Sequence, residues 1–219
     1  MVLLLAEALG LPHRDQNELL AAAGFAPAFQ EGELSSPALG TYRAALDFLM
    51  TQHEPFPVVL LDHQWNLRGS NNAAQAVMGH FIHDPEAYFA SHMPNSLRLA
   101  FDPNGVRPYI TNWDTLAPEL LRWVQRELLV FPAARKEALL ASLLAYPGVP
   151  NDWRVPDLLQ APSPVVSMKL ERDGLALNTF ALVTRLGTAA DVTLQELSVE
   201  TFYRADEATK AAFIALAAE

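Results

Sequence analysis

The sequence predicts an α/β (α+β) fold: a five-stranded antiparallel sheet with helices on one face, preceded by an α-helical N-terminal extension. Three observations predict it. Two short apolar runs at residues 58–68 are spaced like a hairpin, three more strand patterns follow residue 165, and the stretch between them has helical periodicity. An order of two strands, several helices and then three strands allows the five strands to pair into one antiparallel sheet with helices on one face.

The first hairpin is indicated by a break in an apolar run. Residues 58–61 are apolar and partly β-branched, Asp62-His63-Gln64 interrupts them, and residues 65–68 resume with alternation. The polar interruption predicts a turn between two strands. Residues 71–78 then have the pattern of a short helix.

Two longer helices are predicted next. Large apolar residues recur at helical spacing over residues 116–131, with charged residues on the other faces. Leucines at similar spacing predict a second helix that ends before Pro147-Gly148. The Pro-rich stretch 147–164 is predicted to connect these helices to the remaining strands.

The remaining strands surround a strong turn signal. Residues 165–170 and 175–184 have strand patterns, and Asp173-Gly174 between them is a hairpin dipeptide. A last strand is predicted over residues 196–203, after the break at Gly187. Asp206 is then predicted to be the N-cap of a final helix that extends to residue 217.

The first 54 residues are rich in Ala and Leu and helical in pattern. They predict helices over residues 1–9, 12–23 and 36–52. We therefore divide the chain into an N-terminal helical segment (1–35), a connecting helix (36–54) and a sheet domain (55–219).

Composition excludes several classes of protein. The 219 residues contain no cysteine, which excludes disulfides, thiolate metal sites and cysteine nucleophiles. A formal net charge of −10 provides no basic surface for nucleic acid. The apolar stretch at residues 1–9 is too short to span a bilayer and lacks the basic start of a signal peptide, so the cytoplasm is the predicted location.

Motifs for catalysis and metal binding are weak. There is no Gly-x-Ser-x-Gly nucleophile elbow, and residues 69–72 contain a single glycine and no lysine, unlike a phosphate loop. His80, His83 and His92 could be imagined as metal ligands, but Pro85 interrupts their helix and nothing completes a known spacing. We predict no enzyme activity, no metal and no required cofactor.

Three ordered segments carry a family resemblance. They are LDHQWN at 61–66, NSLRLAFDP at 95–103 with GVRP and NW after it, and LGTAADVTLQELSVETFYRADEAT at 186–209. Together they resemble the ligand-binding domain of MmyB-like bacterial transcription regulators. That domain has a PAS-like fold and follows a helix-turn-helix DNA-binding domain of the XRE type, whose last two helices residues 9–25 resemble.

The resemblance implies a sensor with an apolar pocket between sheet and helices, and a lipid-like effector, with a fatty acid as the favoured bound ligand. The DNA-reading helices would precede residue 1. We therefore expect DNA binding only in a longer form of the chain. Whether the sequence is a fragment or a natural short form stays open.

The candidate ligand-binding residues come from the second segment. A buried arginine needs an anion or several acceptors, so Arg98 or Arg107 could receive a ligand carboxylate. Alternatively, each pairs with a structural carboxylate such as Asp102 or Asp114, or caps a loop. Trp65 is assigned to the core. The candidate set is Asn95, Arg98, Phe101, Arg107, Asn112 and Trp113.

Assembly is the last expectation. The connecting helix carries Tyr42, Leu46, Leu49 and Met50, which predict a homodimer through this helix or the adjacent N-terminal helices. Paired DNA readers need such two-fold symmetry to bind a palindromic site. The alternative is that these residues pack only on their own domain. A ligand-free dimerisation or interaction module is the rival function.

Overall fold

The computed structural model describes residues 1–34, 36–91, 94–130, 134–155, 166–185 and 191–217. In these ranges the helices are α1 Val2–Ala8, α2 His13–Ala22, α3 Gly40–Gln52, α4 Asn72–Phe81, α5 Pro85–Ser91, α6 Ser96–Phe101, α7 Trp113–Val130, α8 Ala134–Leu144, α9 Val192–Glu196 and α10 Glu207–Leu216. The strands are β1 Val58–Leu61, β2 Leu67–Ser70, β3 Ser167–Arg172, β4 Leu175–Arg185 and β5 Ser198–Arg204.

The five strands form one antiparallel sheet in the order β2-β1-β5-β4-β3. The predicted fold class is therefore confirmed. The last strand in sequence, β5, lies at the centre of the sheet between β1 and β4. Contacts made by β5 consequently reach both halves of the domain.

Turn geometry explains where the hairpins begin and end. Asp173 and Gly174 both have positive φ, at 50° and 82°, so the predicted Asp-Gly turn closes β3 and β4. In the first hairpin Trp65 has a φ of 61°, which ends the turn, and β2 begins at Leu67, two residues later than predicted. The Trp65 side chain is 5% exposed and lies in the core, as expected.

Three short helices were not predicted. Helix α5 begins at Pro85, a residue that the sequence argument treated as a helix interruption, because proline is well tolerated in the first turn of a helix. Helix α6 follows the N-cap Asn95. Helix α9 follows the N-cap Asp191, whose side chain accepts hydrogen bonds from the backbone N–H groups of Thr193 and Leu194.

The main core lies between the sheet and helices α4 to α8 and α10. The opposite face of the sheet is covered in part by α3, where Leu46 packs with Val58, Leu60, Leu197 and Val199. Leu46 is 4% exposed, so this member of the predicted dimer surface packs on its own domain. Helix α3 therefore packs on the face of the sheet opposite to helices α4 to α8 and α10.

Some predicted features lie outside the described residues. They are residues 186–190 of the third resemblance segment, His92, and most of the Pro-rich connection at 156–164. Among the helices that the structure does describe, none is both long and apolar enough to cross a membrane.

Candidate functional site

A cavity separates the helix-bearing face of the sheet from the helices. Its empty space of about 710 Å³ includes the part that opens to solvent. The sheet contributes the floor, including Val59, Leu177 and Phe202, and the roof consists of α4, α6 and Phe213 of α10. The lining is almost wholly apolar, as is typical of small-molecule sites.

Asn71 places the first roof helix against the sheet. Its buried Oδ1 accepts hydrogen bonds from Ala74 N, which caps α4, and from Val58 N at the start of β1, at 3.0 and 2.9 Å. Its Nδ2 donates to Phe56 O at 2.8 Å. One side chain therefore fixes α4 relative to β1, and both elements line the cavity.

Asn95 plays the same part for the second roof helix. Its Oδ1 caps α6 by accepting from Arg98 N at 3.1 Å, and its Nδ2 donates to Gln64 O at 2.7 Å in the first hairpin. Helix α6 thereby turns Ser96, Leu99 and Ala100 toward the cavity.

Asn112 and Trp113 hold α7 in place. Asn112 donates to Ser167 O and accepts from Lys169 N, both at 2.9 Å, so it binds the edge strand β3. The Trp113 indole is 5% exposed, packs against fully buried Phe101, and donates to Gly148 O at 2.7 Å. These residues connect the helices to the sheet.

The two candidate arginines lie in different surroundings. Arg98 is exposed, so the premise of a buried guanidinium was wrong, because its position on α6 points away from the apolar side. The Arg107 guanidinium stacks on Trp113 at 3.9 Å from the ring centroid, and its buried Nε makes no hydrogen bond among the described residues. Burial lowers the pKa of Arg107, while nearby Asp114 acts in the opposite direction.

None of the six candidate residues lines the described cavity, although their sequence neighbours do. The second resemblance segment therefore contains residues that hold the helices in place, such as Asn95 and Asn112, alternating with residues that line the cavity. A ligand role for the six stays a prediction, whereas the structure supports a structural role for Asn95, Phe101, Asn112 and Trp113.

Polar groups in the cavity are few, and sequence analysis missed the most unusual one. The Thr179 hydroxyl donates to Met168 O at 3.0 Å and is therefore satisfied. Glu200 projects from the central strand into the cavity, and burial raises the pKa of its carboxyl to about 7. The signal was available: an acidic residue occupies an inward position of an alternating central strand.

A second polar site joins the N-terminal helices to the sheet domain. Arg14 of α2 donates from Nε to Glu196 Oε1 at 2.6 Å, and it also pairs with Glu31. His63 Nδ1 lies 3.0 Å from Glu196 Oε2. Close by, Gln30 O accepts from Val192 N at 2.9 Å. Helix α9 is therefore the docking point for residues 13–32.

We expect Arg14→Ala to lower the free energy of unfolding by about 1–2 kcal/mol near pH 7. Burial alone would raise the pKa of Glu196, but hydrogen bonds from His63 and Arg14 hold it at about 2. Because the pKa of Glu196 is lower in the folded chain than in the unfolded chain, its ionisation stabilises the fold when the pH is above the unfolded-state pKa. This stabilisation is lost as the pH falls toward 2.

Urea unfolding at pH 7 and pH 3 measures this effect, and the difference between wild type and Arg14→Ala should shrink at pH 3. The matched control is Arg185→Ala, which removes the more exposed Arg185–Glu127 pair and should cost below about 1 kcal/mol. Equal costs for the two variants at pH 7 would contradict the prediction.

Metal ligands do not converge in the part of the chain that the structure describes: no group of three His, Asp or Glu side chains there could hold a metal ion. His80 is placed instead beside β3, with Nε2 3.3 Å from Arg172 O.

Comparison with known proteins finds one family model and a solved structure to which the chain is similar. Residues 42–216 match the family model of the MmyB-like transcription regulator ligand binding domain. Among solved structures, the chain is similar to the PAS domain of an HTR-like protein from Haloarcula marismortui, with 12% sequence identity, a TM-score of 0.31, and coverage of 76% of this chain and 94% of that chain. No curated protein matches the chain.

Proposed function

Since the chain belongs to the family of MmyB-like transcription regulator ligand-binding domains, we propose that it senses a lipid-like small molecule in the cavity between the sheet and the helices. A fatty acid is the first class to test. The observation that carries this proposal is the apolar lining, to which all five strands and helices α4, α6 and α10 contribute.

The energetics favour an elongated apolar ligand. Each methylene that leaves water gains about 0.8 kcal/mol, so a long acyl chain gains about 10 kcal/mol before association costs are subtracted. A small polar metabolite would need several converging polar groups, and the described lining offers only Ser96, Thr179 and Glu200. The family is a regulatory ligand-binding domain, and we propose no enzyme activity and a cytoplasmic location.

The decisive experiment is mass spectrometry of protein that is purified natively and then denatured, together with thermal shifts over a panel of fatty acids. A co-purifying acyl chain, or a saturable rise in melting temperature, supports sensing. A clean spectrum and no shift with any amphiphile supports the rival, a ligand-free dimerisation or interaction module.

Filling the cavity gives a sharper test. We expect Ala100→Leu and Val77→Phe, on different roof helices, to weaken acyl-chain binding at least about tenfold, because the added carbons occupy the ligand's space. Isothermal titration with laurate measures the loss. Ala87→Leu is the matched control, since Ala87 is exposed on α5 and does not line the cavity. Undiminished affinity in both cavity variants would place the ligand elsewhere.

We further propose that β5 and α9 transmit occupancy to the N-terminal helices. Glu200 and Phe202 line the cavity, and α9 ends only four residues before Glu200. The same α9 holds Arg14 through Glu196. A ligand that shifts β5 would therefore act on the docking point of residues 13–32. These residues overlap the segment 9–25, which resembles part of a helix-turn-helix domain.

The proposed homodimer uses the exposed side of α3. Tyr42 and Phe48 are 41% and 67% exposed, whereas Leu46 is buried. We expect Phe48→Glu to convert the dimer to a monomer at micromolar concentration, as measured by light scattering, because it puts a charge into an apolar interface. Ile214→Glu, on α10, is the control and should leave the dimer intact. A wild-type monomer would refute the proposal.

A further inference from the structure

Glu200 brings a carboxyl group to the apolar cavity, and no residue in the described part of the chain pairs with it. It lies on the central strand β5, paired with Val59 of β1 on one side and Val183 of β4 on the other. Among the described residues, no hydrogen bond or ion pair to its carboxyl is found. The residue is half-buried and lines the cavity.

The surroundings do not neutralise this group. The other described lining residues carry no ionisable side chain, and their polar side-chain groups are the hydroxyls of Ser96 and Thr179. Burial therefore raises the pKa of Glu200 to about 7 without an opposing charge. A carboxyl group without a partner in apolar surroundings is costly, and groups whose pKa is shifted in this way cluster at functional sites.

We infer that the ligand presents a hydrogen-bond donor, an amine or a hydroxyl group on an apolar chain, to Glu200. This inference rests on the proposed sensing function and specifies the polar end of its ligand. A ligand carboxylate beside an ionised Glu200 would place two negative charges in an apolar space, which is unfavourable. The polar end of an acid ligand would therefore have to lie away from Glu200.

The test uses three probes with the same twelve-carbon chain: dodecylamine, dodecanol and laurate. Each is kept below the concentration at which it aggregates or separates from water, and is titrated into the full 219-residue chain at pH 6 and pH 8. At pH 8 we expect the amine or the alcohol to bind at least about tenfold more tightly than laurate, the usual gain from a charge-assisted hydrogen bond. The preference should weaken at pH 6 as Glu200 takes up a proton.

Two variants assign the preference to Glu200. Glu200→Leu should abolish it by weakening the donor probes and strengthening laurate, and Glu200→Gln should weaken the amine more than the alcohol. Glu171→Gln, on the outward face of β3, is the charge-matched control and should change nothing. If the amine alone is preferred, the donor is a cation, whereas equal binding of amine and alcohol indicates a hydroxyl ligand.

The outcomes separate this inference from the proposed function. If laurate binds best at pH 8, or if Glu200→Leu leaves the ranking unchanged, the donor inference is overturned while lipid sensing stands. If none of the three probes binds to the wild type, the proposed function itself fails.

Discussion

Asn71→Ala is expected to lower the free energy of unfolding by about 3 kcal/mol, the largest loss that we predict for a single substitution. The side chain is 6% exposed and bridges two elements that meet at the cavity. Removing it deletes the N-cap of α4, worth about 1 kcal/mol, and leaves Val58 N and Phe56 O without partners. Each stranded buried group costs about 1–3 kcal/mol.

Urea denaturation followed by circular dichroism measures this loss. Asn72→Ala is the matched control, because the Asn72 side chain is exposed in the first turn of α4. This substitution should change the free energy of unfolding by less than about 0.5 kcal/mol. Asn71→Ser keeps a capping oxygen but cannot reach Phe56 O, so an intermediate loss is expected. If Asn71→Ala and Asn72→Ala unfold at the same urea concentration, Asn71 does not join α4 to β1.

The length of an element decided whether the sequence could predict it. Strand and helix patterns predicted the sheet and the long helices because their periodicities reflect burial on one face. Helices α5, α6 and α9 have only five to seven residues, which is too short for a period of 3.6 to be visible. The capping residues Asn95 of α6 and Asp191 of α9 were the available signals.

The site was harder to predict than the fold. The resemblance segment directed attention to Arg98 and Trp113, which are prominent in sequence, but the cavity is lined by their plainer neighbours Ser96, Leu99 and Ala100. Residues that are prominent in a sequence motif can therefore hold the helices of a site in place without lining its cavity. Which side of a six-residue helix faces a cavity depends on tertiary contacts such as Asn95 to Gln64, which the sequence pattern does not encode.

Glu200 supplies the second large effect, a pH dependence of stability. Its folded-state pKa is about 7, whereas an unfolded glutamate titrates near 4.3. Between these values the unfolded chain releases a proton that the folded chain keeps, so stability falls as the pH rises from about 4.3 to above 7. The full penalty, reached above pH 7, is about 3 kcal/mol.

Glu200→Gln removes this titration. We expect the variant to be more stable than the wild type by up to about 3 kcal/mol at pH 8 and nearly equal to it near pH 4.5. Chemical denaturation at half-unit pH intervals measures the difference, and subtracting the wild-type curve cancels the contribution of Glu196, which titrates at lower pH. Glu171→Gln should follow the wild type at every pH, and a constant offset for Glu200→Gln would show that Glu200 does not titrate on unfolding.

The same titration connects stability to the ligand. A donor bound to Glu200 stabilises the ionised carboxylate, so wild-type protein saturated with dodecylamine should lose the decline between pH 5 and pH 8 that the free protein shows. The gain in stability on binding should accordingly be greatest at pH 8, where the free protein carries the full cost of the buried charge. A gain that is equal at both pH values would mean that the ligand's polar end does not reach Glu200.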